Sequence, residues 1–312
     1  MANRYLPFLL AISLGVTGCI PLSPAPIRPK SRPVQTGIIP HAPSPMSRTL
    51  STYYASEEEA LKARGLLRVD GGGPDTLFDA QDLARNFTSI ALKNEYLAQD
   101  GRLIHHESAA TVRKWQKPVW LHVRFGGSVS EAQKQKDRKT VTRYISRLST
   151  LTGLRIRETT NPGTANYTVL FLDETERRET PPAITSVLGA AAPQLKPIIR
   201  DMPRSTLCMV IADISNDGRG AHKNAVALIR SELPDRLRTS CIHEEIAQGL
   251  GLVNDSKYAR PSIFNDDEEF AYLTTHDELL LRTLYDPRLK VGMTQSQAAP
   301  LITTITRELT TR

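Results

Sequence analysis

The chain has 312 residues, a formal charge of +7 and only 6% aromatic residues. Its basic residues are scattered and not interleaved with aromatics, so the charge gives no grounds for a nucleic-acid surface. No apolar run is long enough to cross a membrane as a helix.

Residues 1–18 have the layout of an export signal. Arg4 supplies the positive end, Leu6 to Val16 the apolar core, and Val16-Thr17-Gly18-Cys19 a lipoprotein cleavage box. Cys19 is expected to become the lipidated N-terminus, tethering the protein to the membrane by acyl chains instead of a helix. Ile20 follows and carries no inner-membrane retention signal, so the expected location is the cell envelope, with the outer membrane favoured. Residues 19–50 hold the lipidated cysteine and a proline-rich linker, including Pro21, Pro24, Pro26, Pro29 and Pro33. Proline at this density favours an extended, solvated chain of ~3.1 Å per residue.

Residues 51–112 are expected to be a helical N-terminal region. Ser56-Glu57-Glu58-Glu59 reads as a capping box opening a short helix that ends at Gly71-Gly72-Gly73. Leu77, Leu83, Phe87, Ile90 and Leu97 then recur at helical spacing. The main domain, 113–312, alternates. Val119 to Phe125 is a period-two strand, and Ser128-Val129-Ser130-Glu131 caps a helix whose buried stripe is Val141, Tyr144, Ile145, Leu148 and Leu151, stopped by Gly153. Strands are expected at 154–157, 167–172, 207–211 and 225–229, with an insertion carrying a helix over 174–203. A helix over 277–285 and a last one capped by Thr294 complete the chain. The fold class expected is α+β, a mixed sheet of about five strands with a motif helix and a small helical C-terminal part.

The motif helix carries Cys241, His243, Glu244, Glu245 and Gln248, and stops at Gly249 and Gly251. Glu244 and Gln248 are four apart and share a face. Both glycines are expected to end the helix through left-handed conformations. The turn is expected to bring Asn254, with Asp255, back towards that face. His243 is read as a polar residue on the helix flank, because its fifth-position partner is Ala247 and it cannot share a metal with Gln248. His105, His106, His122, His222 and His276 show no metal spacing and read as surface or packing residues. Cys208 and Cys241, left over after lipidation of Cys19, are expected to form a disulfide in an oxidising compartment, the alternative being two buried thiols.

Glu244-Glu245-x-x-Gln248-x-x-Gly251-x-x-Asn254 resembles the metzincin zinc-peptidase motif, with Glu, Gln and Asn where that family has three histidines. Ser262-Ile263-Phe264 stands at its methionine turn, with Phe264 in the methionine's place, and Leu284-Tyr285 resembles its closing helix. The resemblance implies a metzincin-like fold over 113–312 with Glu245 as candidate general base. It implies Glu244, Gln248, Asn254 and Asp255 as candidate cleft residues. The same stretch is similar to proteobacterial lipoproteins of domain of unknown function 2927, over roughly Arg113 to Thr294.

Ligand chemistry argues against a stable zinc. Catalytic zinc takes nitrogen or sulfur donors, whereas one carboxylate and two amides suit hard divalent cations. Two functions follow. One is a silent groove for an extended peptide or an envelope-protein partner. The other is a hydrolase in which Glu245 activates water, with a non-zinc divalent ion or none. The structural alternative for Glu244, Glu245 and Gln248 is a buried hydrogen-bond network joining helix to loop.

Overall fold

The computed structural model describes residues 40–99, 102–179, 185, 192–214 and 220–311; the signal, Cys19 and most of the linker lie outside them. The first helix, α1 (Pro45–Ala63), starts earlier than expected. Ser44 caps it, accepting from the Ser47 N–H at 3.1 Å, and Pro45 occupies the first turn. Ser56 to Glu59 therefore lie inside a helix. The true start was hidden because Pro45 reads equally well as the last proline of the linker.

Helix α2 (Ala80–Ala91) is closed by an Asp79–Asp82 capping box and buries Leu83, Phe87 and Ile90. Leu77, placed on this helix by periodicity, precedes it and is exposed, and Leu97 falls in a strand. Strands β1 (Lys93–Gln99) and β2 (Arg102–Ala109) form an antiparallel hairpin in the region expected to be helical. Its register shifts between Asn94 and Tyr96, where Glu95 stands against both His106 and Glu107, so the extra residue of the bulge lies in β2.

The main sheet follows the expected order. It comprises β3 (Val119–Phe125), β4 (Ile156–Glu158), β5 (Tyr167–Leu172), β6 (Cys208–Ile214) and β7 (His222–Arg230), arranged β4-β3-β5-β7-β6. Four strands run parallel, and only the edge strand β6 is antiparallel. Every residue of β5 is buried, as a central parallel strand covered on both faces should be. Val169 and Phe171 pack into the main core, while Leu170 and Leu172 face a second cluster with Leu228, Ile199 and Met202. Alternation along one strand thus assigns its residues to opposite faces of the sheet. Helix α3 (Glu131–Thr152) begins at the Ser130 cap and ends at Gly153, whose φ of 69° is left-handed. Two short helices, α4 (Glu174–Glu179) and α5 (Ala192–Arg200), occupy the insertion.

The motif helix α6 (Asp235–Gln248) is buried on almost every side, so it depends on neighbours for both its ends. Its N-terminal residue Pro234 offers no side-chain cap. Glu58 of α1 supplies one, accepting from the Arg236 and Leu237 N–H groups at 3.0 Å each. A carboxylate there satisfies open amides and complements the helix dipole. Four aromatic donors hold carbonyls towards the other end: Tyr144 to His243, Tyr167 to Glu245, Trp115 to Gly249 and Tyr285 to Leu250, at 2.7–2.9 Å.

The two glycines act differently. Gly251 has φ 125° and lies so close to Arg113 that a Cβ would sit 2.2 Å from its carbonyl oxygen. Gly249 is right-handed, so conformation does not explain it; a Cβ there would meet the Tyr167 hydroxyl at 2.1 Å. Close approach, and not a left-handed cap, selects glycine at 249.

Beyond the motif, Asp277 organises the Ser262–Phe264 turn. The Ser262 hydroxyl and Ile263 N–H donate to its carboxylate at 2.6 and 3.0 Å, and Phe264 is fully buried. Asp277 opens α7 (Thr275–Tyr285) in a capping box with Thr274, and α8 (Gln295–Thr310) begins with a Thr294–Gln297 box. The described fold is thus α+β: a five-stranded mixed sheet, a motif helix and a helical C-terminal part.

Candidate functional site

The last two turns of α6 and the loop after it bring three carboxylates together. Glu244 and Glu245 are consecutive on the helix, and Gln248 lies one turn beyond Glu244. Gln248 donates through Nε2 to Asp255 Oδ1 at 3.3 Å, which ties the loop back to the helix. Asn254 does not join them. Its side-chain amide donates to the Ser89 carbonyl at 2.9 Å and its N–H to the Ile90 carbonyl at 3.1 Å, docking the loop on α2. Of the four cleft candidates, then, Glu244, Gln248 and Asp255 converge with Glu245, and Asn254 serves the scaffold.

Two acids that sequence reasoning missed complete the surroundings. Strand β1 carries Glu95 opposite the bulge of β2, and the loop before α7 presents Glu268 beside the exposed Asp266. Glu268 itself sits at φ 58°, and its carbonyl accepts from the Leu67 N–H at 2.8 Å, which fixes the loop against the chain after α1. No spacing rule links Glu95 or Glu268 to the motif helix; only the tertiary fold does.

Burial and like charge act in the same direction here. Burial first, then Glu245, Asp255, Glu268 and Asp266, push the Glu244 carboxyl well above its ordinary value. Burial, Asp255 and Glu95 do the same to Glu245. Asp255 is raised by burial, Glu95 and Asp266 against the opposing hydrogen bond from Gln248. Glu95 and Glu268 are raised too, burial leading in both. Glu245 is 3% exposed, and its Oε2 has no hydrogen-bond partner among the described residues.

The pH dependence follows from these directions. A carboxyl whose folded-state pKa is raised holds its proton more tightly in the folded chain than in the unfolded one. Its contribution therefore weakens stability as pH climbs from the ordinary range, 3.8 for Asp and 4.5 for Glu, through the raised value. Melting temperatures measured in chelator should accordingly fall between pH 5 and pH 8, and Glu245→Gln should flatten the slope. A melting temperature that climbs across that interval would contradict this account.

The histidines and cysteines resolve clearly. His243 is not on an exposed flank: it is buried, stacked on Tyr144 with ring centroids 4.0 Å apart, and its Nδ1 accepts from the Leu273 N–H at 3.1 Å. Burial holds its pKa down at about 3. It is a neutral packing group. His276 is also buried, in contact with Asn86 and edge-on to Phe78, whereas His105 and His106 are exposed.

Cys208 and Cys241 form the disulfide, joining β6 to α6 across a Cα separation of 5.9 Å. The Cys208 sulfur lies within 4.8 Å of carboxylate oxygens of both Glu244 and Glu245. Locked in the bridge, it is not a thiolate donor. Asn254, where the resembling motif has its third ligand, donates its side-chain nitrogen to the Ser89 carbonyl.

Sheet, helix and carboxylates define a class: a mixed-sheet α and β domain with a cluster of acids where its buried helix meets the following loop. The chain belongs to the family described as protein of unknown function (DUF2927), whose model matches residues 80–304. The matched span begins before the hairpin and so includes Glu95. No curated protein matches the chain.

Proposed function

We propose that this is a lipid-anchored envelope protein whose metallopeptidase-like domain binds an extended peptide or an envelope partner in the carboxylate cleft without a stable zinc. The observation that carries the reading is the fate of the three ligand positions. Glu244 stays in the cleft, Gln248 is turned to Asp255, and Asn254 is spent on Ser89. A metzincin-like relationship is supported by the strand order and by the motif helix following directly on the sheet.

The edge strand β6 lies beside that helix and is bonded to it through the disulfide. An edge strand with one unpaired side can take an extended peptide by main-chain pairing. The anchor is supported by the Val16-Thr17-Gly18-Cys19 box alone.

Protein purified without chelator should contain only substoichiometric zinc by elemental analysis, and Cys19→Ala should move from the membrane to the soluble fraction. One tightly held zinc per chain, or unchanged membrane attachment and processing of the variant, would sink the corresponding half of the proposal. A hydrolase with Glu245 as general base is the second reading, favoured by the raised carboxyl and its unpartnered Oε2. Peptide hydrolysis by the wild type that Glu245→Ala abolishes with the fold intact would select it.

A further inference from the structure

We propose that the acids around Glu245 receive the guanidinium of an arginine side chain carried by an extended peptide. This rests on the peptide-binding reading above and names what that peptide presents. Glu244 and Glu245 stand on α6, and Gln248 ties Asp255 back to them. Glu95 of β1, with Asp266 and Glu268 of the loop before α7, lies close enough to act on their charges. Among the described residues no lysine or arginine forms an ion pair with any of the six, and the exposed His105 lies near Glu95. Gathering like charges without a counter-charge is costly, and a cation relieves it.

A second observation points into this group. The Glu245 carboxylate lies within 4.8 Å of that of Glu244 and is 3% exposed, yet its Oε2 has no hydrogen-bond partner among the described residues. Buried acceptors in native folds nearly always have one. Protonation would remove the charge and still leave that atom without a partner. The hydroxyls of Tyr144 and Tyr167 are spent on the backbone carbonyls of His243 and Glu245.

Spacing selects the kind of cation. Among the described residues no three of these carboxylates come within 4.8 Å of one another, and the sulfur that joins Glu244 and Glu245 is locked in the Cys208–Cys241 bridge. A bare metal ion therefore finds no shell. A guanidinium carries five N–H donors in a planar fork and reaches carboxylates that lie apart. Glu244, Asp255, Glu95 and Glu268 are half-buried and Asp266 is exposed, so the group opens outwards from Glu245. Tyr96, next to Glu95 and 47% exposed, adds aromatic surface of the kind that attracts guanidinium groups. The chain as a whole carries +7, so attraction of a basic peptide is local to this group.

The test is calorimetric titration of the full chain, in chelator, with capped peptides Ala-Ser-Ala-X-Ala-Ser-Ala in which X is arginine, citrulline or glutamate. The arginine peptide should bind at least about tenfold more tightly than the other two. Burial and mutual repulsion hold protons on Glu244, Glu245 and Asp255, and the arriving cation displaces them. Affinity should accordingly climb from about pH 5 to pH 8. Glu245→Gln and Asp255→Asn should each weaken binding at least about tenfold, whereas Glu59→Gln, at an exposed acid of α1, leaves it unchanged. Circular dichroism checks the fold of each variant. Agmatine, the guanidinium without a peptide, should compete only weakly.

Equal affinity for the three peptides, or unchanged affinity in both folded variants, overturns this inference and leaves the groove standing. Agmatine binding as tightly as the arginine peptide overturns the peptide as the source of the guanidinium. If none of the peptides binds, the groove reading and this inference fail together.

Discussion

Replacing Cys208 and Cys241 together by alanine should lower the stability of the oxidised protein by roughly 3–4 kcal/mol in the chain-entropy model. The bridge closes a separation of 33 residues, and without it the unfolded chain regains that freedom. Denaturant midpoints of wild type and double variant, compared under oxidising conditions, measure the difference. An unchanged midpoint would show that the sheet and α6 hold together without the bond. The effect reaches the cleft, because Cys241 lies one turn before Glu244 and Glu245 and the Cys208 sulfur touches the same group of atoms. Loss of the bond separates the edge strand from the helix that any bound peptide would share with it.

Glu174→Ala should cost about 3 kcal/mol, the effect expected when one partner of a buried ion network is removed. Glu174 Oε2 accepts from Arg177 at 2.6 Å and Arg230 at 2.7 Å, and Oε1 accepts from Arg178 at 2.6 Å. Arg177 and Arg230 are each 1% exposed, so the variant removes from two interior guanidinium groups the carboxylate they share. Burial pushes the Glu174 carboxyl up, but the hydrogen bonds from Arg177, Arg178 and Arg230 outweigh it and hold it at about 2. A depressed acid stabilises the fold above its ordinary value and loses that contribution as pH falls through the depressed one. The gap between wild type and variant should therefore narrow from pH 4.5 down to about 2. A gap that stays constant over that interval would show that the arginines do not depend on this charge. This acid limb has the opposite slope to that of the cleft, so stability should peak between the two.

What the sequence disclosed is what local periodicity controls. Val119 to Phe125 alternates and is a strand, and the α3 stripe from Val141 to Leu148 is buried and ends at Gly153. The disulfide was legible as one of two outcomes because removing Cys19 left an even pair. The hairpin was not: Lys93-Asn94-Glu95 and His105-His106-Glu107 carry no alternating apolar face, and their strand state comes from pairing with each other. The candidate site divides in the same way. Glu244, Glu245 and Gln248 were visible because helix geometry puts them together, and Asp255 because one glycine turn returns it. Asn254 went astray since its partner, Ser89, is 165 positions away, and Glu95 was invisible because only the tertiary fold brings β1 near the motif helix.

The Glu58 cap separates what is inherited from what folds. The span matched by the family begins at residue 80, but the open amides of the motif helix are closed by a carboxylate 22 positions upstream of it. Ser47 of the same helix α1 donates to Glu232 at 2.8 Å in the interior. A protein trimmed to the family boundaries would expose the start of α6 to water and leave Glu232 without that donor. Helix α1 is therefore no dispensable leader between linker and domain: it supplies contacts that the motif helix and Glu232 use.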